Sequence, residues 1–335
     1  MGAAVLPRIQ LITTLSEVAG YKSGLALTTK QIIEHLPDHA GYLAGPENQI
    51  IRIRSEDYED IFVDLLHKLG VIESPRQTLL GKGFRDRYKA DTKKFDLADK
   101  IIKIFLVEMP KATAKAGKDK IDLTPFVEEC ARQHGKDGLD LGLAFVDDVM
   151  GSLQSSPWSN FRRVDWTDTA QLKDLFESEG LTTLYGRFFD QRYIDYLGQN
   201  FDEIDKINWR KFEGLTAEFF EREGFRAEIG PGRDDGNIDV RVWPKDAADG
   251  RPPTIIIQCK REASKIGKVV VKALYADLLH ERAESGLIVT TRSLAPGAAE
   301  VCTARGYPIT QADRAAVKKW VENMRTPLTG VFLGA

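Results

Sequence analysis

Two short stretches hold the residue types that could do chemistry, Ile238-Asp239-Val240 and Ile255-Ile256-Ile257-Gln258-Cys259-Lys260. Side chains on a strand alternate between faces, so Gln258 and Lys260 share one face while Ile257 and Cys259 supply the other. The same alternation sets Asp239 opposite in facing to Ile238 and Val240. The segment from Pro244 to Pro253 is polar and turn-rich, which predicts a hairpin joining the two strands. Pairing them brings a carboxylate, an amide oxygen and an ammonium onto one surface, equipment for holding a divalent cation beside a phosphate. Cleaving a phosphodiester needs a polarised phosphate, an activated water and charge stabilisation at the leaving oxygen. Mg²⁺ takes oxygen ligands and keeps several waters, so one carboxylate and one amide oxygen suffice, and so few carboxylates favour one metal over two. Lys260 would orient or deprotonate the attacking water. The bland alternative is a cross-strand salt bridge between Asp239 and Lys260.

These stretches need elements to position them. Asn208 suits a helix N-cap, Phe212, Leu215, Phe219 and Phe220 give that helix an apolar face, and Gly224 ends it. A strand over Phe225–Ile229 and a polar loop from Gly230 to Gly236 then deliver Asp239. After the Gln258 strand the pattern predicts a helix over Lys268–Glu284, a buried strand over Gly286–Thr290, a helix over Pro296–Arg305, a strand over Tyr307–Thr310 and a closing helix over Ala312–Met324. The order α-β-β-β-α-β-α-β-α describes a central mixed sheet flanked by helices. Other candidates carry weaker signals. Asp234 and Asp235 offer a further carboxylate or simply cap their loop. Arg261, Lys265, Lys268 and Lys272 follow the central strand and could meet phosphates or form a solvated face. Thr290-Thr291 could touch a nucleic-acid backbone, although strand propensity explains the pair equally well. Cys259 is expected in the core and His280 on the surface.

The first two-thirds of the chain is poorer in chemistry. In residues 1–92, Thr28-Thr29 can cap a helix over Lys30–Leu36, and Ser55-Glu56-Asp57 opens a second helix with the stripe Ile61, Phe62, Leu65, Leu66, Leu69, closed by Gly70. A short strand at Val71-Ile72-Glu73 and a basic stretch with Arg76, Lys82, Arg85, Arg87 and Lys89 complete a pattern similar to a winged helix. Small helical modules of this pattern also mediate protein contacts. Residues 93–205 read as a helical middle region: Leu97–Glu108, a linker from Pro110 to Lys120, then Phe126–Gln133, Leu141–Leu153 and Leu172–Glu177. Phe188, Phe189, Tyr193 and Tyr196 form an aromatic stripe expected to be packed core. The expected whole is an α+β multidomain chain, with modules at 1–92, 93–205 and 206–326 and a tail at 327–335.

Composition narrows the class. The 335 residues are 42% hydrophobic and 29% charged with net charge −3, so a nucleic-acid surface must be a local patch. Cys130, Cys259 and Cys302 show no CxxC or Cys/His clustering, which argues for reduced thiols in a cytoplasm and against zinc. Neither a signal peptide nor a run of membrane-spanning length is present, so no membrane partner is expected.

Taken together, Trp209-Arg210-Lys211-Phe212-Glu213, Gly232 to Val240, Ile257 to Arg261, and Gly286 to Thr291 with Ala298 resemble the Mrr-like branch of the PD-(D/E)xK restriction-endonuclease superfamily, over about Trp209 to Met324. That branch is similar in placing Gln where other members have an acidic residue. The resemblance implies Asp239 as metal ligand, Gln258 as orienting ligand, Lys260 as catalytic lysine and Glu213 as the helix glutamate supporting the metal. It implies an Mg²⁺- or Mn²⁺-dependent endonuclease acting on double-stranded, possibly modified, DNA in prokaryotic restriction or anti-phage defence. Alternatives are a catalytically degenerate nucleic-acid-binding protein, or a nuclease acting on RNA or branched DNA. One such site cuts one strand, so a homodimer is expected, with contacts from Phe95 to Asp205.

Overall fold

A computed structural model of the chain describes residues 2–74, 82–116, 121–232, 238–261 and 265–325. It begins with β1 (Ala3–Pro7) and α1 (Arg8–Ser23). The helix buries Leu11, Leu15 and Ala19 at four-residue spacing and ends at Gly24, whose φ of 70° suits a glycine and whose N–H closes on the Gly20 carbonyl. β2 (Leu25–Ala26), α2 (Thr29–His35) and α3 (Ala40–Leu43) follow, with Thr28 and Gln31 forming the capping box that starts α2. β3 (Ile50–Arg54) pairs antiparallel with β1 and feeds α4 (Ser55–Lys68), whose stripe of Ile61, Phe62, Leu65 and Leu66 is buried as its spacing predicts.

The strand expected at Val71–Glu73 does not form. Gly70 turns the chain at φ 77°, the Val71 N–H bonds the Leu66 carbonyl at 2.9 Å, and His67 Nδ1 lies 3.1 Å from the Ile72 carbonyl. The backbone groups that would pair a strand instead close the end of α4. Among the described residues the basic stretch is also committed elsewhere: Arg85 pairs with Asp99, Arg87 with Asp148 and Lys89 with Asp86. Arg76 and the Lys82 side chain lie outside the described residues. Residues 2–74 are thus a helical region with the two-stranded ribbon of β1 and β3 and the short β2, and the strand expected at 71–73 is absent from them.

α5 (Lys82–Asp86), α6 (Thr92–Ala116) and α7 (Thr124–Ser155) build their own core. There Phe105 meets Phe126 and Phe145 edge to face, and Phe84 does the same to Phe145. The expected break at Pro110 is absent, because α6 continues through it. Proline removes the donor for the Leu106 carbonyl, and Leu106 is 66% exposed, so the loss falls on the solvent side of the helix. α7 joins the two helices expected here across a kink at Gly135 (φ 61°, ψ −144°). β4 (Ala170–Gln171) pairs parallel with β2, then α8 (Asp174–Glu177) and α9 (Gln191–Gln199) lead to the last third. Phe189, Tyr193 and Tyr196 are buried core, as the stripe predicts.

In that third the element order matches the sequence pattern. α10 (Trp209–Arg222) precedes β5 (Phe225–Ile229), β6 (Val240–Pro244) and β7 (Ile255–Lys260), followed by α11 (Lys268–Glu281), β8 (Ser285–Thr290), α12 (Pro296–Arg305), β9 (Ile309–Ala312) and α13 (Arg314–Met324). Among the described residues the strands form one five-stranded sheet in the order β5-β6-β7-β8-β9, with β5, β6 and β7 antiparallel and β7, β8 and β9 parallel. Ile256, Ile288 and Ile309 pack under α11 and α12 on one face. Val240, Val242, Ile257 and Val289 join α10 and α13 on the other, where Trp320 stacks on Phe219 at 4.3 Å. That second core is continuous with α1, α2, α4, α8 and α9, so the N-terminal helices brace the helix and strands that carry the candidate site.

One buried carboxylate ties this assembly together. Glu218 of α10, 3% exposed, accepts the N–H groups of Arg187, Phe188 and Phe189 at 2.8, 2.8 and 3.2 Å, and the Arg222 Nε–H at 2.8 Å. Gly186 allows the tight approach, since a Cβ there would run into the Phe189 carbonyl oxygen. Glu218→Ala strands those donors in the interior and is expected to cost about 3–5 kcal/mol. Glu218→Gln keeps one acceptor and should cost about half of that. Urea unfolding of both variants checks this, and losses below about 1 kcal/mol in both would show that the carboxylate does not organise the loop.

Candidate active site

Asp239 sits at the point where the loop after β5 becomes β6. Its backbone N–H donates to the Ile257 carbonyl at 2.9 Å, its carbonyl accepts the Gly230 N–H at 2.8 Å, and its Oδ2 accepts the Cys259 N–H at 2.6 Å. The carboxylate therefore takes a backbone donor of β7 and is held against the strand that carries Gln258 and Lys260. The simple two-residue alternation expected through Asp239 does not run here. Ile238 packs in the core under α11 and Val240 in the core under α10, so the faces change across Asp239 and regular pairing starts at Val240, opposite Ile257.

On β7 the alternation holds. Ile257 and Cys259 face α10, and Ile256, Gln258 and Lys260 the other side. Gln258 is 2% exposed, and its Oε1 is buried without a hydrogen-bond partner. An orphaned buried amide oxygen costs about 1–3 kcal/mol, so the site contains an acceptor that the protein leaves for something else. Lys260 is half-buried at the end of the strand, opposite Thr290 of β8.

Glu213 comes from α10, 4% exposed, and pairs with Arg210 one turn earlier at 2.7 Å. The other arm of Arg210 donates to the Gly230 carbonyl at 2.7 Å. Gly230 in turn bonds Asp239, so Arg210 clamps the glutamate to the loop that positions the aspartate. No role for Arg210 follows from residue type alone. Its i,i+3 spacing to Glu213 on a capped helix was the available signal. Cys259 reports the shared electrostatics: burial first, then the Asp239 carboxylate, raise its thiol well above the ordinary range. Glu213 adds to this, while a contact with the Thr216 hydroxyl and the Lys260 ammonium oppose it. The two carboxylates and the ammonium thus act on one strand position, and the thiol stays protonated in the core as expected.

Among the described residues no three His, Cys, Asp or Glu side chains gather as a metal-ligating group. The oxygen set of Asp239 and the orphaned Gln258 amide nevertheless fits a small hard cation that keeps most of its waters. Asp234 and Asp235 lie outside the described residues. Of the flanking cations, Arg261 is tied down, its Nη1 donating to the Asp205 carbonyl at 2.6 Å, whereas Lys265, Lys268 and Lys272 are exposed. Thr290 and Thr291 are buried, and His280 is on the surface. No helix among the described residues is long and apolar enough to cross a membrane.

Residues 204–321 match the family model Mrr_cat, described as a restriction endonuclease, so the resemblance read over Trp209 to Met324 holds and the last third carries that family's domain. The uncharacterised protein y4cE of Sinorhizobium fredii (strain NBRC 101917 / NGR234) is 30% identical over 104 residues, 30% of this chain and 26% of that protein. The chain thus spans about a quarter of the length of that curated relative. The MspJI restriction endonuclease in complex with a 27-mer oligonucleotide aligns with a TM-score of 0.30 and 15% identity, over 53% of this chain and 39% of that one.

Proposed function

We propose that this chain is a metal-dependent endonuclease hydrolysing DNA phosphodiester bonds, a restriction or defence enzyme whose chemistry resides at Asp239, Gln258, Lys260 and Glu213. The observation that carries the reading is the buried Gln258 Oε1 without a partner, one residue from the N–H that fixes Asp239. A divalent cation, Mg²⁺ or Mn²⁺, would be held by Asp239 and Gln258, and when bound it supplies positive charge to the phosphate and acidity to a water. Asp239 is kept in place for this by the Cys259 N–H. Lys260 sits one strand position further on the Gln258 face, where its ammonium orients the attacking water and faces the charge that develops on the phosphate. Glu213, clamped by Arg210, supports the site from α10. The chain would act on duplex DNA as a homodimer, each copy cutting one strand, with 1–92 and 93–205 serving recognition and assembly.

Cleavage assays with duplex, single-stranded, four-way-junction and RNA substrates in Mg²⁺ and Mn²⁺ test this. Binding of DNA without turnover of any modified or unmodified substrate would replace the enzyme with a degenerate binding protein. The metal site has a separate readout. Mn²⁺ at about a hundred times its Kd is expected to raise Tm by roughly 5 °C. Gln258→Leu removes the orphaned acceptor, so metal-free Tm should hold or rise while most of the Mn²⁺ shift disappears. A full Mn²⁺ shift in that variant removes Gln258 from the site.

A further inference from the structure

Beyond the end of β8 lies a cleft of about 690 Å³ that none of the chemistry above uses. Its walls come from the short 3-10 turn at Phe201–Asp205 after α9, from the residues that follow β8 and from the first turns of α13, and Lys265, Arg292, Arg314 and Lys318 line it. Its carboxylates are committed. Asp202 pairs with Arg314 at 2.9 Å, and Asp313 Oδ1 caps α13 by accepting the Ala315 and Ala316 N–H groups at 3.1 Å each. Arg314 and Arg292 also reach Asp205 behind the wall, at 2.8 and 3.7 Å. Lys265 and Lys318 remain as exposed cations at the rim, Lys318 with only a loose 3.9 Å approach to Glu322.

The decisive residue is Thr291. It lines the cleft, it is 1% exposed, and its Oγ1 is buried without a hydrogen-bond partner. A hydroxyl is both donor and acceptor, and a buried one left unpaired is costly unless a ligand takes it. A donor at the floor of a cation-rimmed cleft of small-molecule size is the chemistry that receives a phosphate. We infer that this cleft is a phosphate-binding subsite, with the Thr291 hydroxyl donating to the anion and Lys265 and Lys318 holding its charge.

Register places it next to the catalytic strand. Lys260 pairs with Thr290, the last residue of β8, and Thr291 follows it directly, so the cleft begins one residue past the partner of Lys260. The phosphate can therefore belong to the nucleic-acid backbone, which rests on the function proposed above, or to a free phosphate or nucleotide.

The test uses the full chain in EDTA, so that binding is read without cleavage. Labelled duplex DNA is followed by anisotropy across a salt series, inorganic phosphate and AMP by calorimetry, and folding by Tm. For a backbone phosphate, Lys265→Ala/Lys318→Ala should weaken DNA binding roughly tenfold and lower the slope of log K against log salt by about 1.8. Thr291→Val should weaken binding about threefold while Tm holds or rises, a pairing that a merely structural hydroxyl would not give. If DNA binding is unchanged but the wild type binds phosphate or AMP and the variants do not, the site stands with a free anion as its ligand. Variants that match the wild type with every probe overturn it. Cleavage in Mg²⁺ separates the two ideas. Variants that bind every probe as the wild type does and cut normally sink this subsite alone, and weakened binding in a protein that cuts nothing sinks the nuclease alone.

Discussion

Asp239→Asn is expected to reduce metal-dependent cleavage of duplex DNA by about a thousandfold or more, and Lys260→Met by a similar factor, with folding intact in both. The two substitutions fail for different reasons, which makes the pair informative. Asparagine keeps an oxygen for the Cys259 N–H, so the 2.6 Å bond that joins the start of β6 to β7 survives, but the negative charge that attracts a cation is gone. Metal affinity should fall along with turnover. Lys260 is half-buried at a strand end, and methionine preserves the length of its stem. Metal affinity should hold there while turnover is lost. Single-turnover rates at saturating Mn²⁺, set beside Mn²⁺ titrations, resolve the two effects. Rates in either variant within tenfold of the wild type would remove that residue from the chemistry.

How much of this was legible in the sequence follows from where local pattern decides structure. Asn208, Phe212, Leu215 and Phe220 specify α10 because an N-cap and a helical stripe are both local, and the cap, the helix and its buried face are all observed. The strands and helices after Gly224 were legible for the same reason. The helix α1 was not. Its β-branched Thr13 and Thr14 and its Gly20 weaken the local signal, and what makes it a helix is burial of Leu11, Leu15 and Ala19 against elements far away in the chain. The strand expected at Val71 failed conversely: three residues suited to a strand were taken over by the closure of α4. At the candidate site the residue types were readable but the joints were not. That Asp239 takes the Cys259 N–H, that the faces change around it, and that Arg210 links Glu213 to Gly230 are consequences of three-dimensional register. None of these leaves a mark on spacing alone.

The N-terminal and C-terminal parts of the chain meet around α9, and there stability should depend on pH through one residue. Asp195 accepts a hydrogen bond from Gln191 Nε2 at 2.9 Å, and a Cβ on Gly70 would run into the Asp195 carbonyl, so α9 and the end of α4 are pressed together here. Arg325 reaches across to the Gly70 carbonyl at 3.1 Å. Although the residue as a whole is only half-buried, burial raises the Asp195 carboxyl from 3.8 to about 7, opposed by Gln191, Arg325 and Arg222 and helped by Asp190. Because its folded pKa lies above its unfolded one, the folded protein holds a proton between about pH 4 and 7 that the unfolded chain has released. This contribution is therefore complete below about pH 4, declines as pH rises, and is gone above pH 7. A shift of that size corresponds to ~4 kcal/mol at most, and partial exposure reduces the expected effect to about 2 kcal/mol. Asp195→Asn cannot ionise and keeps an oxygen for Gln191. It should match the wild type near pH 4 and exceed it by about 2 kcal/mol at pH 8, since only the wild type then carries a poorly solvated charge. Urea unfolding of both proteins at pH 4.5, 6 and 8 measures the difference directly, with all other titrating groups common to both. A gap that does not widen between pH 4.5 and 8 would show that the Asp195 carboxyl ionises in the folded state as it does in the open chain.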